Sequence, residues 1–143
     1  MNINGWVKQE VDNRDYISVR HTLMGAAPLP TEFKLPITLP VYDQSAIGSC
    51  VSNSGCLCYL YEAKQKSLKS RMNPSRLFLY YNARAMRGWE LEDSGAIIRD
   101  AFKSLNKEGV CTESLWKYDI RKFAKKPPKF AYKNGLKHTT VRY

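Results

Sequence analysis

The stretch Gln44-Ser45-Ala46-Ile47-Gly48-Ser49-Cys50-Val51-Ser52-Asn53 decides the fold of this chain. Its first half is rich in turn-forming residues, and a helix-compatible run follows it. We therefore predict a loop that ends at Gly48-Ser49 and a helix that runs from about Ser49 or Cys50 to Lys66. This places Cys50 at the first turn of a helix, where unpaired amides and the helix dipole favour an anion.

A cysteine in this position is a candidate nucleophile, because the thiolate is the reactive form of the side chain. Gln44 lies six residues upstream on the same loop. Its side-chain amide can fold back beside the Cys50 backbone N–H, and two such donors form an oxyanion hole for acyl transfer. The alternative is that Cys50 is an inert side chain packed in the core, which is common for cysteine.

Two further helices are predicted downstream of this loop. One opens at Asn73-Pro74, with Asn as the N-cap and Pro at the first helical position, and ends near Gly88. The other is capped by Asp93 or Ser94 and is stopped by Gly109. The helix after Asn73-Pro74 presents Leu77, Tyr81 and Ala85 on one face. The helix that ends at Gly109 has an apolar stripe of Ile97, Ala101 and Leu105.

The remaining segments carry weaker signals. Residues 1–35 are predicted to be an irregular arm, residues 35–42 an extended segment broken by prolines, 129–137 a short helix and 139–143 the start of a strand. We expect the aromatic residues Phe78, Tyr80 and Tyr81 to be core. We expect the other cysteines, Cys56, Cys58 and Cys111, to pack internally, since their spacing does not fit a zinc site.

Composition narrows the class of protein. The chain has 143 residues, of which 43% are hydrophobic and 25% charged, so it has the composition of a globular protein. No apolar run approaches the roughly 20 residues of a transmembrane helix, and the N-terminus does not resemble a secretory signal. Four cysteines are too few for a disulfide scaffold. We therefore expect reduced thiols and a cytoplasmic or otherwise intracellular location.

The charge is concentrated near the C-terminus. Residues 103–143 hold eleven Lys and Arg but three acidic residues, a balance of +8 out of the total of +10. Aromatic residues are interleaved there, and together these features could contact the backbone and bases of a nucleic acid. Arg is scarce and no recognition motif is present, so a solvated basic face is the favoured interpretation.

The loop around Cys50 resembles the papain-like (C1) cysteine peptidases, in which Pro-Val-x-x-Gln precedes the nucleophilic cysteine by five further residues. Here Pro40-Val41, Gln44 and Cys50 match that pattern. The resemblance implies that Cys50 is the nucleophile and Gln44 the oxyanion donor of a hydrolase acting on peptide bonds. It extends downstream through Asp93-Ser94-Gly95, Gly109-Val110-Cys111 and the aromatic segment Leu115-Trp116-Lys117-Tyr118-Asp119. It further implies that Ser49, Ser94 and Gly95 bind the substrate.

The chain also departs from the family pattern. Val51 stands where the family usually has Trp, and Ile47 stands where other members carry a half-cystine. A papain-like site needs a His and an Asn or Asp about 130–150 residues beyond the cysteine, whereas this sequence continues for 93 residues after Cys50. Neither His21 nor His138 lies in a matching motif. We therefore expect a split or truncated site that needs a complementary segment.

The sequence thus predicts an α-rich α+β fold, the helical lobe of a papain-like peptidase with its strand lobe missing or supplied elsewhere. Residues 1–35 are a propeptide-like or wrapping arm, and residues 36–143 the lobe, incomplete at its C-terminus. The expected partners are a peptide or protein substrate and a complementary lobe or another chain. No cofactor, metal or membrane partner is expected. The alternatives are a non-catalytic structural or assembly protein, for example of a virion, and a basic nucleic-acid-binding module.

Overall fold

A computed structural model describes residues 5–15, 30–34, 36, 38–66 and 72–140 of the protein. In these ranges α1 is Cys50–Gln65, α2 is Arg76–Ala85, α3 is Ile98–Lys107, α4 is Lys129–Gly135, and a 3₁₀ turn spans Ile120–Lys122. The extended segments in the same ranges pair at two isolated bridges, Trp6 with Ala96 and Pro74 with Thr112. The predicted helix-rich character is confirmed, whereas a strand lobe that is missing or supplied elsewhere stays a prediction.

The core is centred on α2, because most of its side chains are buried. Residues 77–79 are consecutive and fully buried, and α1 and α3 pack against α2 and against each other. On another side, the Tyr132 ring of α4 lies 4.9 Å from the Phe78 ring, and its hydroxyl donates to Asn82 at 2.7 Å. Phe78, Tyr80 and Tyr81 are all buried, which confirms the prediction that they belong to the core.

The first helix has the bounds that the sequence predicts. It begins at Cys50 and ends at Gln65, and Cys56 is completely buried on its inner face. Cys58 is exposed, so the prediction that it packs internally is wrong. Two residues along a helix turn a side chain by about 200°, which moves it to the opposite face.

The start of α2 differs from the prediction. The N-cap is Ser75, whose hydroxyl accepts from the Phe78 amide at 3.2 Å and donates to the Trp116 carbonyl at 2.6 Å. Asn73-Pro74 lies outside the helix because this segment is extended and pairs with the chain near Thr112. The buried face of α2 is also shorter than predicted. Leu77 and Tyr81 are buried, whereas Ala85, the third residue of the predicted face, is exposed.

The third helix begins later than predicted, at Ile98, and neither Asp93 nor Ser94 caps it. The predicted stripe of Ile97, Ala101 and Leu105 is buried, as expected. Gly109 follows the helix with a φ of 69°, which confirms its predicted role as the stop. It also packs against α4, where a Cβ at this position would lie 1.9 Å from the Gly135 carbonyl oxygen.

The basic C-terminal segment packs partly onto this core. Phe123 and Tyr132 are half-buried, whereas Phe130 is exposed. The predicted helix near residue 129 is confirmed as α4, and Cys111 is buried as expected. Residues 139–140 are not in a strand, and 141–143 lie outside the described residues. None of the helices that the structure describes is both long and apolar enough to cross a membrane.

Candidate active site

Cys50 is the first residue of α1 and is half-buried. The preceding residue, Ser49, occupies the N-cap position, but its side chain accepts no hydrogen bond from a backbone amide of the helix. Its hydroxyl is buried, lies 2.5 Å from the Tyr118 hydroxyl and accepts from Asn53 Nδ2 at 2.9 Å. The side chain of Ser49 therefore leaves the first amides of α1 to other partners, and helix N-termini of this kind attract anions.

Gln44 lies on the loop before α1, and its side chain folds back along that loop. Its Nε2 donates to the Ile47 carbonyl at 3.3 Å. The chain turns at Ser45, which adopts a left-handed φ of 54°. The Ser45 amide donates to Asp43 Oδ1 at 2.7 Å, and this hydrogen bond stabilises the turn. An amide nitrogen carries two protons, so Gln44 has a second N–H with which to bind a ligand.

Tyr118 ties the two ends of this loop together, a role that the sequence did not indicate. Its hydroxyl donates to the Gln44 carbonyl at 2.8 Å and is bonded to the Ser49 hydroxyl. Burial raises the pKa of Tyr118, so it stays a neutral donor. The aromatic segment at 115–119 was the available signal, but the contact spans about 70 residues of sequence and no local pattern predicts it.

A half-buried cation, Arg76, supports Tyr118. The Arg76 guanidinium lies 3.9 Å from the centre of the Tyr118 ring and 4.5 Å from that of Tyr42. It also donates to the Asp43 carbonyl at 3.0 Å and forms an ion pair with Glu113 at 3.7 Å. Burial raises the pKa of Glu113, and Arg76 acts in the opposite direction. The stack holds the start of the Cys50 loop against the segment that contains Tyr118.

The predicted substrate wall lies beside the same loop. Gly95 is buried with a φ of 77°, and Ser94 is half-buried with its hydroxyl donating to the Gly95 carbonyl at 3.1 Å. A Cβ on Gly48 would lie 3.5 Å from the Gly95 nitrogen, so loop and wall are in close contact. The assignments of Ser94, Gly95 and Ser49 to substrate binding stay predictions.

The N-terminal arm lies across this contact. Gly5 accepts from the Ala96 amide at 2.9 Å, and the Val7 amide donates to the Ala96 carbonyl at 3.0 Å, which gives a parallel pairing. A Cβ on Gly5 would lie 3.0 Å from Cys50 Sγ. Gly5 therefore lies over the Cys50 thiol, and the arm pairs with Ala96, the residue that follows the predicted cleft wall.

The backbone contacts of His138 lie outside this cluster. His138 follows α4, where its amide donates to the Gly135 carbonyl at 2.8 Å and its carbonyl packs near Gly109. Burial lowers the pKa of His138. His21 lies outside the described residues. Across the ranges that the structure describes, no group of three or more His, Cys, Asp or Glu side chains is arranged to hold a metal ion.

Comparisons with known proteins identify related chains. No family model matches. The sequence is 41% identical over 109 residues to the uncharacterized peptidase C1-like protein L477 of Acanthamoeba polyphaga mimivirus, covering 76% of this chain and 35% of that protein.

Two solved structures share the fold. Xylellain, a cysteine protease from Xylella fastidiosa, superposes with a TM-score of 0.78 at 33% identity, over 96% of this chain and 56% of that one. A structure from work on the mite allergens Blo t 1 and Der p 1 has a TM-score of 0.51 at 16% identity, over 70% and 34% of the chains, and supports the fold alone. The chain thus spans about a third of the curated relative and just over half of xylellain. The identity to the peptidase C1-like protein and the superposition on xylellain show that the chain belongs to the papain-like, peptidase C1-like family.

Proposed function

We propose that this chain supplies the nucleophile half of a papain-like cysteine peptidase. The observation that supports the proposal most strongly is the position of Cys50 at the start of α1, with Gln44 folded back along the preceding loop. The similarity to xylellain over nearly the whole chain is a second support. A nucleophile at the start of a helix and an amide donor on the loop before it are the two parts that acyl transfer needs from this side of a cleft.

The proposed reaction begins when the Cys50 thiolate attacks the carbonyl carbon of a peptide bond. The carbonyl π bond opens, and the resulting oxyanion accepts hydrogen bonds from Gln44 Nε2 and the Cys50 N–H. The C–N bond then breaks, and an imidazolium from a complementary segment gives its proton to the leaving amine. The neutral imidazole then takes a proton from water, whose oxygen attacks the thioester carbonyl carbon; the C–S bond breaks, the acid product leaves, and the Cys50 thiolate and the imidazolium are restored. The substrate backbone is proposed to lie along Ser94 and Gly95.

The proposed complementary lobe would cover the outer face of α1. Leu57, Cys58 and Tyr61 lie on this face at helical spacing, and the first and last are half-buried while Cys58 is exposed. The inner face is apolar as well, with Leu60 and Ala63 buried beside Cys56. A helix that is apolar on both sides is typical of an element buried between two layers. The relatives, which are longer than this chain, supply the precedent for further sequence.

The arm at residues 1–35 is proposed to regulate the site as a propeptide-like segment. Its residues 5–7 pair with Ala96 and lie against Cys50, which is where the proposed substrate would lie. A peptide that adds to an exposed backbone edge is a common mode of peptide recognition. The arm would then have to leave before a substrate could enter.

A labelling experiment tests the proposed function. The chain alone, and a chimera that joins it to the part of xylellain beyond the region of similarity, are treated with an epoxide-type thiol inhibitor. We expect rapid modification of Cys50 in the chimera, slow modification in the chain alone, and none in Cys50→Ala. Gln44→Ala in the chimera should lower kcat for a peptide substrate about 10²–10³-fold.

A folded chimera that neither labels at Cys50 nor cleaves peptides would overturn the proposal and favour the non-catalytic alternative. Rapid labelling of the chain alone that is abolished by His138→Ala would overturn the split site. Circular dichroism and a cooperative thermal transition establish that the chimera is folded.

A further inference from the structure

One polar contact joins the Cys50 loop to the cleft wall. The Gly48 amide, two residues before Cys50, donates to both carboxylate oxygens of Asp93, at 2.9 Å to Oδ1 and 3.1 Å to Oδ2. Asp93 is 45 residues away in sequence and two residues before Gly95. A carboxylate that accepts a backbone N–H forms a charge-assisted hydrogen bond, which is stronger than a neutral one.

Tyr80 extends this contact to the wall itself. Its hydroxyl donates to Asp93 Oδ1 and accepts from the Gly95 amide, the latter at 3.2 Å. Tyr80 is fully buried within α2, and burial together with the bond to Asp93 raises its pKa, so it remains a donor. The amides of Gly48 and Gly95 are therefore connected through two side chains, one of which is anchored on the central helix.

The turn that leads into Asp93 is anchored as well. The Arg84 guanidinium stacks 3.9 Å from the centre of the Tyr80 ring and donates to the carbonyls of Glu90, at 3.1 Å, and Glu92. Arg84 is fully buried. Because the backbone on the N-terminal side of Asp93 is held in this way, its carboxylate has a fixed position from which to hold Gly48.

We propose that Asp93 and Tyr80 are positioning residues that set the distance between the nucleophile loop and the cleft wall. The inference rests on the proposed function of Cys50. Ile47, the residue before Gly48, is buried as an aliphatic core residue. A hydrogen-bonded clamp through Asp93 and Tyr80 fixes this loop from the other side of Gly48.

Hydrogen exchange of individual amides tests the clamp without any need for activity. Asp93→Ala removes both acceptors of the Gly48 amide, and we expect that amide to exchange about tenfold faster or more. Tyr80→Phe should accelerate the Gly95 amide to a similar extent, and Asp93→Asn should give a smaller change at Gly48, because it keeps one acceptor oxygen. Glu92→Gln, an exposed neighbour, is the matched control and should change neither amide.

The comparison with core amides separates positioning from general stability. If Asp93→Ala accelerates the buried α2 amide of Leu79 as much as that of Gly48, or leaves Gly48 unchanged, the inference is wrong. In the chimera, Asp93→Ala should lower kcat at least tenfold with KM changed less than threefold, and an equal change in both would also contradict it. An inactive parent chimera would contradict the proposed function, while the exchange result would still decide whether the clamp exists.

Discussion

Replacement of Gly5 by alanine should detach the N-terminal arm from Cys50. Gly5 has a φ of 48°, and a Cβ there would lie 2.4 Å from the Gly48 carbonyl oxygen and 2.5 Å from its carbon. Both neighbours are backbone atoms, so no side-chain rotation relieves the collision. The left-handed conformation adds about 1–2 kcal/mol of strain for a residue with a Cβ.

The size of the effect follows from what holds residues 5–7, since the ion pairs of Arg99 with Asp12 and Asp15 hold a later part of the arm. Two backbone hydrogen bonds join residues 5–7 to Ala96, and at about 1 kcal/mol each they favour the closed arm by about 2 kcal/mol. This corresponds to an open fraction of roughly one in 30. Since the arm covers the thiol, its release should raise the rate of Cys50 alkylation by iodoacetamide at least tenfold, towards about 30-fold.

Peptide mass mapping measures the alkylation of Cys50 separately from that of exposed Cys58, which serves as the internal reference. Gly88→Ala is the matched control, because Gly88 also has a left-handed φ, 72°, but no atom lies within 4 Å of its Cβ position. This variant carries the strain without the collision, so Cys50 should react as in the unmodified chain. If Gly5→Ala alkylates Cys50 within twofold of the unmodified rate, the arm does not shield the thiol and the reasoning fails.

Three other predictions concern stability. Arg84→Met should lower the free energy of unfolding in urea by about 3–5 kcal/mol, because several carbonyls lose their buried donor; a loss under about 1 kcal/mol would contradict this. Tyr118→Phe should cost about 1–2 kcal/mol and accelerate amide exchange in residues 44–49 more than in α2; uniform acceleration would refute the linking role. Burial raises the pKa of Cys111 to about 12, whereas the thiol has a pKa near 9 in the unfolded chain. The stabilisation that comes from keeping this thiol protonated is therefore complete below pH 9 and is lost as the pH rises towards 12. From pH 8 to 11 the unmodified chain should therefore lose about 2.5 kcal/mol more than Cys111→Ala in denaturant titrations, and equal losses would refute this.

Much of the helical framework follows from local sequence. The start of α1, the stripe of α3 and the stop at Gly109 depend on residues within one or two turns of each other, and all three were predicted. The N-caps of α2 and α3 were not predicted, because tertiary contacts bind the residues that were expected to cap them. Asn73-Pro74 is extended beside Thr112, and Asp93 bonds to Gly48 rather than to the first turn of α3. A local pattern cannot show which of two partners a side chain will choose.

The candidate site divides in the same way. Gln44 lies on the short loop that leads into Cys50, so the sequence alone is enough to pair them as candidates. Tyr118 and Asp93 reach that loop from 69 and 45 residues away, and the arm reaches it through backbone hydrogen bonds that carry no side-chain signature. These contacts depend on how α1, α2 and α3 pack, which the sequence pattern does not specify.

Cys50 and Gln44 are proposed to act together on the carbonyl group of a substrate. A crystal structure of the chimera with a peptide aldehyde tests this joint role most directly, because the aldehyde forms a tetrahedral adduct with a nucleophilic thiol. We predict a bond from Cys50 Sγ to the aldehyde carbon, with the adduct oxygen 2.7–3.1 Å from both Gln44 Nε2 and the Cys50 nitrogen. An adduct on Cys58, or an adduct at Cys50 whose oxygen contacts neither donor, would contradict the account.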